Sequence, residues 1–290
     1  MKEVVVLSGK GGTGKTSIAA SFVWFGGHRA LAADCDVDAA DLHLLLAPDF
    51  DQMHDFWSGE TAIIHPDKCN QCGTCYEVCR FKAIEKSGKN FFVNDRKCEG
   101  CGYCARVCPN EAITNEPVRS GSWYISNIKT GSMMVHAALE IGAENSGRLV
   151  TRVRREASIM GRQLQKDHVI IDGAPGIGCP VIASLSGVDF AVLVTEPTRS
   201  GLHDLERVYS LVRRFHIRSG CIINKADINP SVTGEIMEFI SHEGIMHLAS
   251  IPYDEVFTTS MTHGLTIPEY EHDGMSATLY RAWKSIVRVL

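Results

Sequence analysis

Along this 290-residue chain, short apolar runs alternate with longer stretches whose apolar positions recur every three or four residues. The runs Val4–Ser8, Ala30–Asp34, His168–Asp172, Phe190–Glu196, Cys221–Asn224 and His247–Ile251 are almost continuously hydrophobic. That pattern predicts parallel strands covered on both faces, where an alternating pattern would predict one wet face. Between them, Lys15–Gly27, Arg148–Gln165, Gly201–Phe215 and Ser231–His242 carry helical spacing. The alternation predicts an α/β fold built on a doubly wound, mostly parallel sheet.

From about Glu60 to Val118 the pattern changes to short strands, turn residues and cysteine. This stretch repeats itself: Cys69–Ile84, CNQCGTCYEVCRFKAI, recurs at Cys98–Ile113 as CEGCGYCARVCPNEAI. The expectation is a small α+β domain, 60–118, inserted in a larger one formed by 1–59 and 119–290. The chain re-enters the larger sheet near a strand expected at Trp123–Ile128.

Composition narrows the chemistry. A hydrophobic share of 44% and a formal charge of −5 give an ordinary globular chain with no basic stripe for nucleic acid. No run reaches the length of a membrane span, which argues against a membrane partner. The start, Met-Lys-Glu followed at once by a strand, lacks an export signal, so a cytoplasmic location is expected. Eleven cysteines in such a chain point to metal or cluster ligation.

The stretch VVVLSGKGGTGKTS, residues 4 to 17, fits two phosphate fingerprints. Gly9, Gly11 and Gly14 read G-x-G-x-x-G, and Asp34 and Asp36 lie about where a dinucleotide loop wants its ribose acid. Gly9 to Thr16 also reads G-x-x-x-x-G-K-T. Lys15 and Thr16 decide for the second, a P-loop: lysine neutralises β- and γ-phosphate charge and the threonine hydroxyl ligates Mg²⁺. Gly9, Gly11, Gly12, Thr13, Gly14 and Ser17 complete the cradle. Asp172, at the end of the apolar HVIID run, is placed for the Mg²⁺ shell, and Gly176 resembles a switch glycine sensing a γ-phosphate. Asn224-Lys225-Ala226-Asp227 reads N-K-x-D, a guanine reader in GTPases, so the base remains open between adenine and guanine at this point.

Each cysteine run is C-x2-C-x2-C-x3-C, the bacterial ferredoxin spacing, in which the fourth cysteine serves the other cluster. Cys69, Cys72, Cys75 and Cys108 then hold one [4Fe–4S] cluster, and Cys98, Cys101, Cys104 and Cys79 the other. Zinc sites favour paired C-x2-C knuckles around a single tetrahedral ion and fit two runs of four poorly. Eight acidic and eight basic side chains between Glu60 and Val118 make the insert neutral. That suits a domain meeting its own core or one dedicated partner.

With Lys10 the loop reads K-G-G-x-G-K-T and resembles the deviant Walker A ATPases, which include MinD, Mrp-type cluster carriers and the nitrogenase iron protein. The likeness spans 1–59 and 119–290. It implies ATP as the nucleotide, with Asn224 facing adenine and the loop near Pro252 packing on the base. It implies that Lys10 reaches a partner's nucleotide across a dimer. In DCDVDAADLHLLL, similar to the family's switch I, it gives Asp36 the orienting of the attacking water. Asp41 stands where many members have asparagine. With the cysteine runs, the whole chain resembles MinD-superfamily ATPases with an inserted ferredoxin domain. The resemblance implies a slow, partner-stimulated ATPase with catalytic Lys10, Lys15, Asp36 and Asp172. It further implies a nucleotide-dependent homodimer, or a heterodimer with a related ATPase, and a redox protein partner of unknown identity. Three tasks follow from it: electron transfer coupled to nucleotide state, cluster carriage or assembly, and positioning with clusters as sensors.

Three cysteines remain. Cys35 and Cys221 read as packing. Cys179 has the offset from Asp172 of a bridging-cluster thiol in the iron protein, but no second cysteine lies in TGSMMVHAALEIGAENSG, and two cysteines per dimer cannot supply four thiolates, so no bridging cluster is expected. The arginine-rich GRLVTRVRREASIMGRQLQK reads as a solvated helix face. In TLYRAWKSIVRVL, Leu279, Trp283, Ile286 and Leu290 share a face that suits packing on the sheet better than lying on a membrane.

Overall fold

Strand β1 (Lys2–Ser8) contains three consecutive valines, and every residue from Glu3 to Ser8 is buried. Such a strand needs cover on both faces, and its neighbours supply it. In the computed structural model, which describes residues 1–140, 143 and 146–290, the strands that follow are β2 (Ala30–Cys35), β3 (Gln52–Ile64), β4 (Ile84–Ser87), β5 (Asn90–Val93), β6 (Ile113–Asn127), β7 (Met133–Leu139), β8 (His168–Gly173), β9 (Phe190–Thr195), β10 (Arg218–Ile223) and β11 (Met246–Ser250). The helices are α1 (Lys15–Gly26), α2 (Leu42–Leu46), α3 (Thr74–Val78), α4 (Tyr103–Val107), α5 (Ser146–Gln163), α6 (Cys179–Leu185), α7 (Arg199–Arg214), α8 (Pro230–His242), α9 (Val256–Thr262), α10 (Ile267–Tyr270) and α11 (Met275–Val289).

The chain divides into two units. The first comprises Met1–His54, Trp123–Ala138 and the chain from Ser146 to Leu290. It holds the strand order β11-β10-β9-β1-β8-β2-β7, with every neighbouring pair parallel. Val4 and Val6 of β1 join Ala30 and Ala32 of β2, Ile170 of β8 and Val192 and Val194 of β9 in the main core. α1 contributes Ile18, Ala19, Phe22 and Val23 to that core, and α11 contributes Leu279, Ala282, Trp283 and Ile286. The apolar face of the last helix is therefore occupied, with Trp283 stacked on Phe22 at 5.5 Å. Helices α5, α6 and α7 pack on β2, β8 and β9 outside this cluster. Among the described residues no helix is long and apolar enough to cross a membrane.

Several strands differ from the sequence pattern: β3 is unexpected, β6 begins at Ile113 well ahead of the expected Trp123, and β10 and β7 differ for reasons that can be named. β10 starts at Arg218, ahead of the expected Cys221, because Arg218–Gly220 pair in register with Phe190–Val192 despite their polarity. β7 is built from MMVHAAL, a composition that suits a helix, yet Met134 and Val135 pair with Ala32 and Ala33 and are fully buried. Tertiary pairing overrides local propensity there.

The second unit comprises Asp55–Ser122 and the described residues of 139–145. The chain enters it within β3 and leaves it within β6. It contains the antiparallel hairpin β4–β5 and two five-residue helices, α3 and α4. Its internal repeat is visible in the backbone. Gln71 and Gly100, Gly73 and Gly102, and Lys82 and Glu111 all have positive φ, each pair at equivalent points of the two halves.

Candidate functional site

In the first unit, the carboxyl ends of β1, β2, β8 and β10 converge on a cleft of about 560 Å³. Open parallel sheets bind ligands at this end, where the strand order reverses around the first strand. The cleft is lined by Ser8, Gly11–Ser17, Asp36, Ala39, Asp41, Pro175, Asn224, Lys225, Tyr253, Asp254, Phe257, Thr258 and Met261. Gly14 starts α1 at φ 88°, and a Cβ there would sit 2.7 Å from Asn224 Nδ2. Only glycine meets both the backbone angle and that close approach.

Lys15 is 6% exposed. Its Nζ donates to Asp172 Oδ1 at 2.6 Å and to Asp36 Oδ2 at 3.3 Å. Burial opposes its charge, but Asp172 and Asp36 together outweigh it and raise the ammonium pKa. Asp34 is fully buried below them and accepts the N–H groups of Asp36 (3.1 Å) and Leu42 (3.3 Å). Desolvation, then the charge of Asp172, pushes the Asp34 carboxyl well above the usual carboxylate range. Asp36 is also raised, by burial first, against the pull of Lys15. Asp34 thus staples the loop that presents Asp36, a role its position in the sequence does not announce.

Two polar atoms in the cleft region are buried without a partner among the described residues: Asp172 Oδ2 and Thr13 Oγ1. An orphaned carboxylate oxygen is costly unless something bonds it. A hydrated Mg²⁺ held by Thr16 would answer Asp172, so the donor set fits a magnesium nucleotide. Asn224 is 2% exposed. Its Nδ2 donates to Thr13 O at 2.9 Å, which ties the loop to the end of β10. Asp227 Oδ1 accepts the Tyr253 N–H at 2.6 Å, so this carboxylate holds the loop after β11.

Five expected residues lie off the lining: Gly9, Lys10, Asp172, Gly176 and Pro252. Lys10 forms an ion pair with Glu196 and approaches Thr198 Oγ1 (3.3 Å) and Ser200 Oγ (3.4 Å); Glu196 also holds Lys225 at 3.1 Å. Gly176 donates its N–H to Ser8 O at 2.9 Å, and Pro175 is the lining residue beside it. Pro252 is exposed, while Tyr253 and Asp254 line the cleft. Thr258 and Met261 of α9 were not anticipated, since a helix side that faces a cleft carries no motif.

In the second unit, Cys69, Cys72, Cys75 and Cys108 line one cavity with Ile64, Phe91, Pro109 and Ile113. Cys79, Cys98, Cys101 and Cys104 line another, of about 370 Å³, with Ala62, Ile84 and Val93. Ala83 N–H donates to Cys79 Sγ and Ala112 N–H to Cys108 Sγ, both at 3.3 Å. The third cysteine of each run, Cys75 and Cys104, has a thiol pKa raised first by burial. The Thr74 hydroxyl, 3.4 Å from Cys72 Sγ, lowers that thiol instead. Among the described residues no group of three or more His, Cys, Asp or Glu is arranged for a single metal ion. One zinc would need all its sulfurs about 2.3 Å from one point. Thiols spread around a cavity, with N–H donors to sulfur, suit a larger iron–sulfur cluster. Cys35 and Cys221 are buried, and burial lifts the Cys221 thiol to about 12; Cys179 is exposed at the start of α6.

Residues 62–115 match the protein family described as 4Fe-4S dicluster domain. Over 229 residues the chain is 33% identical to "Uncharacterized protein MJ0578" of Methanocaldococcus jannaschii, covering 78% of this chain and 79% of that protein. Among solved structures, the septum site-determining protein MinD complexed with Mg-ADP from Pyrococcus horikoshii aligns at TM-score 0.58 and 19% identity, over 98% of this chain and 95% of that one. A ParA family ATPase from Chlorobium tepidum aligns at TM-score 0.55 and 17% identity, over 98% of each chain. At those identities the likeness to the solved structures is one of fold.

Proposed function

The chain belongs to the family of its Methanocaldococcus jannaschii relative, with a MinD-like P-loop ATPase fold that carries an inserted 4Fe-4S dicluster domain, and from that premise we propose that it hydrolyses ATP to switch a dimer whose two [4Fe–4S] clusters transfer electrons. The observation that carries this reading is the pairing, in one chain, of the Lys15–Asp36–Asp172 constellation with two complete sets of four cysteines.

The proposal gives the residues these roles, which the contacts in the cleft support. A triphosphate entering the cleft competes with Asp172 and Asp36 for the Lys15 ammonium, which then neutralises charge on the β- and γ-phosphates. Freed of Lys15, Asp36 accepts a hydrogen bond from the attacking water and aims it at the γ-phosphorus as the bond to the β-phosphate oxygen breaks. Thr16 and Asp172 would hold Mg²⁺, which supplies charge neutralisation on the phosphate oxygens. Tyr253, Asp254 and Phe257 flank the base. Lys10 exchanges Glu196 for the partner's nucleotide when two chains meet. Cys69, Cys72, Cys75 and Cys108 would hold one cluster and Cys98, Cys101, Cys104 and Cys79 the other, each supplying one-electron chemistry.

The test uses anaerobically purified protein. Iron and sulfide should each come to about eight per chain on the two-cluster assignment. Mg-ATP should change the rate at which a chemical reductant bleaches the cluster absorbance, and Asp36→Ala should remove both that change and phosphate release. Stoichiometric zinc without visible absorbance would end the reading. A second reading, cluster carriage, is supported by the exposure of Cys72 and Cys101. It requires that iron and sulfide pass to an apo-acceptor faster with Mg-ATP, while reduction kinetics stay unchanged.

A further inference from the structure

The arginine-rich stretch before β8 does not behave as a plain solvated face. It forms α5, and Arg155, Ser158 and Arg162 line an open cleft of about 480 Å³ between α5 and α6 in the first unit. At the floor, Arg154 is 8% exposed. One of its Nη groups pairs with the buried Glu3 carboxylate and the other donates to Ser184 O. Its Nε lies buried with no hydrogen-bond partner among the described residues. Arg162 donates to Ser158 Oγ at 2.9 Å. Neither Arg155 nor Arg162 has a carboxylate partner among the described residues, whereas Arg152, on another side of α5, is paired with Glu156. Three guanidiniums against one carboxylate leave this cleft with a net charge of +2. Ile182 and Phe215, exposed by 43% and 39%, add an apolar wall.

We infer that this cleft is a binding site for a small organic oxyanion of about two negative charges, a phosphate monoester or a dicarboxylate. Planar guanidinium forks match such groups in pairs, and the exposed Arg155 and Arg162 offer two such forks on the wall of one cleft. The apolar wall accommodates the carbon part of the ligand. The site is separate from the P-loop cleft, with which it shares no lining residue.

Glycerol 3-phosphate and succinate, each titrated calorimetrically into the full chain at matched ionic strength, test this. Arg155→Ala/Arg162→Ala changes two exposed residues, and its melting and cluster absorbance report that the fold is kept. Any binding at the P-loop is common to both proteins. The expected result is one bound anion fewer per chain in the double variant, or a site about tenfold weaker. The Lys pair at the same positions, keeping charge without the fork, should fall between. Preference for glycerol 3-phosphate over succinate, or the reverse, separates phosphate from carboxylate ligands. Identical isotherms for wild type and the double variant would overturn the inference. So would a short DNA duplex that binds through these arginines when neither small anion does.

Discussion

The two units prepare their sites in opposite ways. In the first, the site is added to a frame that stands without it. Asp34 and Asp172 are fully buried near the ends of strands whose other residues, the half-buried His168 apart, are also buried, and hydrogen bonds within the unit fix Asp34, Asp36, Lys15 and Asn224. In the second, the site is a large part of the frame. The buried cluster consists of Ala62, Cys75, Ile84 and Ile113, and Cys79, Cys98, Cys104 and Cys108 are packed against it. Small domains bury too little apolar surface to fold on that alone and lean on metals instead. One site therefore tunes an existing fold, and the other helps to make one.

Stripping the clusters gives the largest break in this comparison. Oxidative removal of iron, or Cys75→Ser with Cys104→Ser, should abolish cooperative unfolding of the second unit. Nucleotide affinity of the first should change by no more than about threefold, within roughly 1 kcal/mol. Calorimetry shows it as one surviving transition where the intact protein has two. Loss of both transitions would mean that the first unit also depends on the clusters.

Lys15→Ala attacks the first unit where its charges are most concentrated. Removing one partner from a buried ion network costs about 3–5 kcal/mol, because Asp36 and Asp172 are left without their cation. Nucleotide binding should be lost, and denaturation at pH 8 should show the destabilisation. The deficit should shrink at pH 5, as the stranded carboxylates take up protons.

Titration within the first unit sharpens the contrast further. Asp34 and Asp36 have folded pKa values raised by burial. The native state binds protons there that the unfolded state does not, so these groups favour folding as pH falls toward the unfolded carboxylate range. Their contribution is lost as pH rises through the folded values. His136 works the other way. It is 4% exposed, stacked on Tyr124 and hydrogen-bonded to Ser126 at 2.9 Å. Burial lowers its pKa to about 4. The unfolded chain binds the proton first, so His136 opposes folding increasingly as pH falls from 6.5 to about 4. His136→Gln should remove that slope and gain up to about 3 kcal/mol on wild type near pH 4. Parallel stability curves for the two proteins would refute it.

Much of this contrast is legible in the sequence, and the unreadable parts have physical reasons. β1, β2, β8 and β9 announce themselves because double-sided burial confines polar residues to positions near the strand ends. β7 does not, since Met, Ala and Leu suit a helix and only pairing with β2 selects the strand. The stretch of β3 from Gln52 to Phe56 escapes for the opposite reason: it is largely exposed and has no apolar period. At the cleft, Lys15, Asp36 and Asp172 stand out in the sequence as residue types that phosphate and Mg²⁺ chemistry favours, and the structure brings the three together. The ties of Lys10 to Glu196 and of Gly176 to Ser8 could not be read, because they depend on how α7 and the loop after β8 lie against the P-loop. The grouping of cysteines into two cavities follows the ferredoxin spacing, in which the fourth cysteine serves the other cluster; the repeat alone would keep each run of four together.

The smallest effect lies within that repeat. Gln71 and Gly100 occupy equivalent places, with φ of 63° and 61°. At Gly100 a Cβ would lie 2.2 Å from the Glu60 carbonyl oxygen, so the contact requires glycine where the angle only favours it. Gln71 carries a full side chain at the same angle, and the residue is exposed, with only a 3.3 Å hydrogen bond from its amide to Asn90 Oδ1. A non-glycine residue in the left-handed region costs about 1 kcal/mol or more. Gln71→Gly relieves that strain but gives back part of it, since glycine has more freedom to lose on folding and an exposed hydrogen bond disappears. The net expectation is a gain for the second unit of no more than about 1 kcal/mol, read in its own melting transition with clusters in place. A loss greater than that would mean the Gln71–Asn90 contact, rather than the backbone angle, decides what this position needs.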